Sequence, residues 1–252
     1  MTTKIAIVTG GSRGIGRNVV ESLARRGVDT IFTYHSHAAD AETVAAAAKH
    51  AGANAIALHL DAGAVASFDV FVDRVKGALA RLGAERFDFL VNNAGNNHQN
   101  TPFDKATEQE LDSVYAVHFK GVFFLTQKLL PLIADGGRII NVSTARTRIA
   151  SPGGAVYASI KGAVEVLSRH MALELGPRRI AVNVVAPGPV ATDFSGGVVR
   201  DNPVVNKQIA DHTALGRAGV ADDLGPMIAA LLAEDNRWVN AQRIEVSGGL
   251  AI

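Results

Sequence analysis

The chain has no cysteine, which excludes disulfides, thiolate catalysis and sulfur-ligated metals. Nor does it carry surplus charge. Its 25 Lys and Arg against 24 Asp and Glu leave a formal net charge of +1, which argues against nucleic acid or an anionic membrane as the main partner. No uninterrupted apolar run approaches the ~20 residues that span a bilayer. Met1 leads directly into Lys4-Ile5-Ala6-Ile7-Val8-Thr9, without the basic start and long apolar stretch of a secretory signal, so a soluble cytoplasmic protein is expected. The eight histidines show no HExxH or comparable spacing, and no catalytic metal is expected.

What is present is a folded globule: 48% apolar and 19% charged residues, with 252 residues to build one large α/β domain. Short β-branched runs at residues 4–9, 29–34, 55–60, 87–92, 138–143, 179–186 and 243–246 read as strands. Several are apolar on both faces, as in Ile5-Ala6-Ile7-Val8, which suits a parallel sheet covered on each side. Between them Phe68, Val72, Val75 and Leu79, and likewise Ile15, Val19 and Leu23, recur at helical spacing. Thr107-Glu108-Gln109-Glu110 reads as a capping box, and Gly27 as a helix stop. The doublets Arg25-Arg26 and Arg178-Arg179 read as solvated helix ends. Repeated strand–helix–strand units call for a doubly wound sheet with helices on both faces. From Pro187 to about Gly219, Pro and Gly interrupt any long element, and a substrate lid is expected over about 189–216.

Two motifs carry chemistry. In Thr9-Gly10-Gly11-Ser12-Arg13-Gly14-Ile15-Gly16 a strand turns sharply into a helix. Glycines at 10, 14 and 16 permit positive φ, close approach of backbone to phosphate, and tight helix–strand contact. Further on, Tyr157 and Lys161 are i and i+4, on one helix face. A phenol of pKa about 10 is a weak acid at neutral pH. A cation about 4 Å away is worth roughly 4 kcal/mol and is expected to lower that pKa by about three, less what burial takes back.

The order of these motifs, with Asn92-Asn93-Ala94-Gly95 between them and Pro187-Gly188 followed by Thr192 after them, resembles the short-chain dehydrogenase/reductase family. The likeness is to its compact branch, which includes the 3-oxoacyl-carrier-protein reductases, and runs from about residue 4 to residue 249. It implies a single Rossmann-type domain over 1–252, with a doubly wound, seven-stranded parallel sheet, a nicotinamide cofactor and a homotetramer. Gly10, Ser12, Arg13 and Ile15 would then meet the diphosphate and adenosine end, and Asp61 and Ala62 the adenine. Asn93, Ala94 and Gly95 would pass the ribose, Pro187, Gly188, Val190 and Thr192 the nicotinamide amide, and Lys161 would also hold the nicotinamide ribose.

The second strand ends in Tyr34-His35-Ser36 with no acid before Asp40, while Arg13 lies in the glycine turn. A missing carboxylate and a present base favour NADP(H) over NAD(H). The family places a serine 13 residues before the tyrosine; here that position is Thr144, with Ser143 as the alternative hydroxyl. His118 stands where the family has an asparagine that holds a water near the lysine, and reads either as a relay or as a core residue. The expected reaction moves a hydride between the nicotinamide and a carbonyl or secondary alcohol, with Tyr157 as general acid/base helped by Lys161 and Thr144. The substrate would be set by residues 96–99, 146–152 and the lid, with His98, Arg146 and Arg148 favouring an anionic or polar molecule; an acyl thioester is one candidate. An NAD-dependent alcohol dehydrogenase and a non-catalytic NADP-binding sensor or assembly subunit are the rival readings.

Overall fold

The computed structural model describes residues 3–95 and 100–252. The first half runs β1 (Ile5–Val8), α1 (Gly14–Ala24), β2 (Asp29–Tyr34), α2 (Ala38–His50), β3 (Ala55–His59), α3 (Phe68–Arg81) and β4 (Phe87–Asn92). Then follow α4 (Glu108–Tyr115), α5 (Gly121–Leu129), β5 (Ile133–Val142), α6 (Ala155–Leu175) and β6 (Ala181–Pro187). The last elements are α7 (Val198–Asp201), α8 (Pro203–Asp211), α9 (Ala221–Leu231) and β7 (Arg243–Val246). All seven strands pair in parallel, in the order β3-β2-β1-β4-β5-β6-β7.

Alternation along β1 explains the two-layered core. Ile5 and Ile7 point to one face and join Phe68, Val75 and Leu79 of α3 and Leu125 and Leu129 of α5. Ala6 and Val8 point to the other, against Val19 and Leu23 of α1 and Leu224 and Ile228 of α9. Central strands are thus buried on both sides, whereas the edge strands β3 and β7 are only half-buried. Each side chain of this size, fully buried, contributes about 1.5–3 kcal/mol. Among the described residues no helix is long and apolar enough to cross a membrane.

Topology places the crevice. From β1 the chain builds outward to β2 and β3, then returns to lay β4 on the opposite side of β1. The connections that leave the carboxyl ends of β1 and β4 therefore run to opposite sides of the sheet at the switch point, where ligands of such sheets sit.

Several local readings need correction. The fifth strand starts at Ile133 rather than Arg138, because a bulge takes up the residues between the pairs Phe87–Ile133 and Phe89–Arg138. The sixth starts at Ala181, after Arg179 adopts a left-handed φ of 57°. Arg178 is no solvated end: its guanidinium donates to the carbonyls of Leu130 (2.8 Å) and Ile133 (2.6 Å) and pairs with Asp135. The segment expected to be an irregular lid folds into α7 and α8. They stay short because Ser195, Gly196 and Gly197 take positive φ, and Asn202 restarts the helix by accepting N–H bonds from Val204 and Val205 ahead of Pro203. Its neck is closed by a bridge between Val190 and Gly219.

Helix α1 meets the end of β1 at Gly16, where an added Cβ would lie 2.1 Å from the Gly10 carbonyl oxygen and 2.4 Å from Asn93 Nδ2. Backbone cannot yield there as a flexible side chain would. Gly16→Ala is expected to destabilise the protein by about 1–3 kcal/mol in urea denaturation; an unchanged midpoint would show that α1 is free to shift outward.

Candidate active site

The glycine turn is held in shape by its neighbours. Thr9 Oγ1 accepts from the N–H groups of Asn93 (2.9 Å) and Ala94 (3.0 Å), and Asn93 Nδ2 donates to the carbonyls of Thr9 (3.0 Å) and Gly10 (3.1 Å). Gly10 N–H donates to Thr33 Oγ1 of β2 at 2.9 Å. The ends of three adjacent strands therefore fix one loop, with Gly10 at φ 67°. The N-terminus of α1 that follows has no side-chain cap and no acid in its first turn. Its open N–H groups and positive dipole end fit the pyrophosphate of a dinucleotide. Ser12 is buried in the turn, Ile15 half-buried, and Thr192 packs against Gly14.

At the end of β2, Tyr34 and His35 each lie near the ring of His59, with centroids 5.7 and 5.8 Å apart, and Ser36 Oγ is bonded to His37 Nδ1. Arg13 is flanked by Asp40 (3.9 Å) and Asp193 (3.8 Å), two acids that its place in the sequence did not foretell. Both pairs are long and exposed, hence weak, and Arg13 can exchange them for a stronger anion. Asp61 accepts from the N–H of Gly63, and the Ala62 carbonyl abuts Gly121, where a Cβ would come within 2.1 Å.

Tyr157 and Lys161 share a buried face of α6. Lys161 Nζ lies 5.8 Å from the centre of the phenol ring and donates to the Val142 carbonyl, at the end of β5, at 2.7 Å. The expected lowering of the tyrosine pKa is overturned. Burial pushes the phenol well above its ordinary value, and the charge of Arg146 takes back only part. Burial likewise lowers the Lys161 ammonium to about 8. Both groups favour their neutral forms because little water reaches either. His118 is fully buried in a π-helical turn, Ala116–Lys120, and its ring stands perpendicular to that of Tyr157 with centroids 5.2 Å apart. Phe194, from the segment after β6, also approaches the Tyr157 ring, with centroids 6.2 Å apart.

The two candidate hydroxyls separate. Ser143 Oγ donates to Glu165 Oε1 (2.7 Å), which also accepts from Thr147 Oγ1 (2.8 Å) and Arg243 Nε (3.0 Å). Among the described residues Thr144 Oγ1 accepts one long bond, from Arg146 N–H (3.3 Å), and donates none, so its own proton is available to a ligand. Pro187 pairs with Val246, Gly188 packs on Ser247, and Val190 closes the neck already described. Leucine and glycine residues 248–250 bond to residues 213–215, and Arg148 grips Glu245 (2.6 Å) and the carbonyls of Leu250 and Ala251. Asn96, Asn97, His98 and Gln99 lie outside the described residues. Sequence reasoning missed a buried polar chain: Asn92 Nδ2 donates to Thr126 Oγ1 and Asn141 Oδ1, and Asn141 Nδ2 to Ser168 Oγ. Its signal was available, as asparagines inside otherwise apolar strands.

A family model described as "Enoyl-(Acyl carrier protein) reductase" matches residues 10–251. The chain is a short-chain dehydrogenase/reductase. It is 35% identical over 247 residues to an uncharacterized oxidoreductase of Methylorubrum extorquens, covering 98% of this chain and 97% of that one. Among solved structures, the promiscuous reductase LugOII, which catalyses keto-reduction at C1 in lugdunomycin biosynthesis, superposes with a TM-score of 0.93 at 36% identity over 100% and 99% of the two chains. The landomycin C-6 ketoreductase LanV, solved with NADP and rabelomycin, gives 0.89 at 35% over 99% and 97%. This short-chain dehydrogenase/reductase is thus an oxidoreductase with the family's seven-stranded sheet.

Holding an ammonium in such a place weakens the fold. Lys161 binds a proton more readily when unfolded, a penalty of roughly 3 kcal/mol that is fully present below pH about 8 and fades as pH rises towards the ordinary lysine value. Lys161→Met removes the charge but leaves the Val142 carbonyl without that donor, which takes back about 1 kcal/mol. The variant is expected to melt several degrees higher than the parent at pH 7, with the gain shrinking by pH 10; a lower Tm at pH 7 contradicts this account.

Proposed function

We propose that this oxidoreductase reduces a ketone with NADPH, using Tyr157 as the proton donor, Lys161 to stabilise the phenolate it leaves, and Thr144 to orient the substrate oxygen. The observation that carries the reading is the buried pair of Tyr157 and Lys161, with the lysine anchored to the end of β5 beside Thr144. The ketone itself is taken from what LugOII and LanV are named for.

The cofactor, when bound, supplies or accepts the hydride. Gly10, Ser12, Arg13, Gly14, Ile15 and Gly16 would hold its diphosphate and adenosine end, with Tyr34, His35 and Ser36 at the 2′ position and Asp61 and Ala62 by the adenine. Asn93, Ala94 and Gly95 would line the ribose, and Pro187, Gly188, Val190 and Thr192 the amide. Asn93 serves there through its backbone, since its amide nitrogen already braces Thr9 and Gly10. NADP(H) is favoured by Arg13 and by the NADP in LanV. Asp40 beside Arg13 is the one observation on the side of NAD(H).

Thr144 donates to the carbonyl oxygen, and Tyr157 gives up its proton as that oxygen gains charge. A buried phenol does this poorly alone, because desolvation opposes phenolate. The same desolvation strengthens the attraction between that phenolate and the Lys161 ammonium. His118 contributes by packing its ring perpendicular to the phenol. The segment over about 189–216 acts as a lid, bringing Phe194 against Tyr157. The homotetramer implied by the family is supported by apolar side chains exposed along α4–α6: Leu111, Tyr115, Phe123, Val166 and Leu173.

Following absorbance loss of NADPH and NADH against a ketone panel tests the reading. Turnover with NADPH is expected to exceed that with NADH, and Tyr157→Phe to lose about 10²–10⁴-fold in kcat while still binding coenzyme. A Tyr157→Phe variant as fast as the parent removes the tyrosine from the mechanism. A second check is pH. Lys161 is cationic below about 8 and neutral above, so kcat for reduction should hold level up to about pH 8 and decline beyond it.

A further inference from the structure

The loop that follows β5 carries two arginines two residues apart, and they have opposite fates. Arg148 is neutralised: Glu245 takes it in a two-pronged ion pair, and the carbonyls of Leu250 and Ala251 accept two further bonds. Glu165 is likewise taken, by Ser143, Thr147 and Arg243. Arg146 turns the other way. The 3₁₀ turn Ala145–Thr147, pinned by Thr144, sends its side chain towards Gly154 at the start of α6, three residues before Tyr157. Among the described residues its guanidinium makes one side-chain bond, to the neutral Asn100 Oδ1 (2.7 Å), and joins no ion pair. The residues outside that set contain no carboxylate.

A guanidinium has five donors in a planar fork suited to an oxyanion, and this one is half-buried next to the proposed proton donor with one donor engaged. Its charge reaches the Tyr157 phenol. The geometry points to Arg146 as the residue that selects ketones bearing an ionised oxygen close to the carbonyl, binding that oxygen while Tyr157 faces the ketone. This deepens the reductase reading and rests on it. Arg148 is already neutralised by Glu245, so of the two loop arginines it is Arg146 that selects.

The test pairs substrates that differ in charge and by one methyl group: a 3-oxo acid with its methyl ester, and an acidic hydroxyquinone with its methyl ether. With parent enzyme and NADPH, the ionised member of each pair should have the higher kcat/KM, by about ten-fold or more. Arg146→Gln should lower kcat/KM for the ionised member by about ten- to a hundred-fold, mostly through KM, and for the neutral member much less. Arg146→Lys, which keeps the charge and loses the fork, should fall between. Titrating the 3-oxo acid into coenzyme-loaded parent and Arg146→Gln protein by calorimetry reads the same difference without turnover. A protein that reduces no ketone therefore sinks the reductase reading while calorimetry still decides this one. Equal losses for charged and neutral partners, or a parent enzyme that prefers the neutral ones, overturn the role of Arg146. An effect in the acid pair alone assigns a carboxylate, and in the quinone pair alone a phenolate-type oxygen.

Discussion

The hydrogen bond from Lys161 to the Val142 carbonyl is the interaction from which the rest of the site is hung. It joins the middle of a 21-residue helix to the end of a central strand, and so fixes where Tyr157 stands relative to Thr144. An ammonium removed from water is unstable unless every donor it retains is used well. The fold bears that cost here, and around the lysine run other polar bonds, each crossing from a strand end to a helix. Asn92 and Asn141 reach Thr126 and Ser168 beneath it, and Ser143 reaches Glu165 one turn further along the same helix. Polar groups thus set the register between sheet and helices, where an apolar interface would allow sliding.

Burial has a second consequence for the chemistry. Read as an isolated pair in a medium of intermediate dielectric, the lysine should make its tyrosine more acidic. The structure buries both, and desolvation outweighs the attraction that the spacing implied. Neither the direction nor the partner was visible along the chain, because the depth of a residue depends on how several elements pack. Arg146, not Lys161, is the cation that draws the phenol downward.

Legibility followed the physics of each segment. Strands β2, β4 and β7 match their expected bounds, because unbroken β-branched and aromatic runs have one comfortable conformation between turn residues. Strand β5 was read late since Asp135-Gly136-Gly137 looks like a turn and is a bulge within the strand. The region after β6 was read as irregular from its glycines and prolines; these residues limit helix length without preventing helices. Within the site, the glycine turn and the Tyr157–Lys161 face could be read from spacing alone. The choice between Ser143 and Thr144 could not, as it depends on Glu165, distant in sequence and adjacent in space. Arg178 shows the same limit, its solvent-facing appearance dissolved by three acceptors, one just past α5 and two on β5.

The stretch after β7 ties together two walls that have no strand in common. Its backbone bonds to residues 212–215 below α8 on one side, and its carbonyls receive Arg148 from the loop after β5 on the other. One short piece of chain is therefore a common hinge pin for both jaws of the crevice. Displacing either jaw would therefore strain the bonds that the same few residues make to the other.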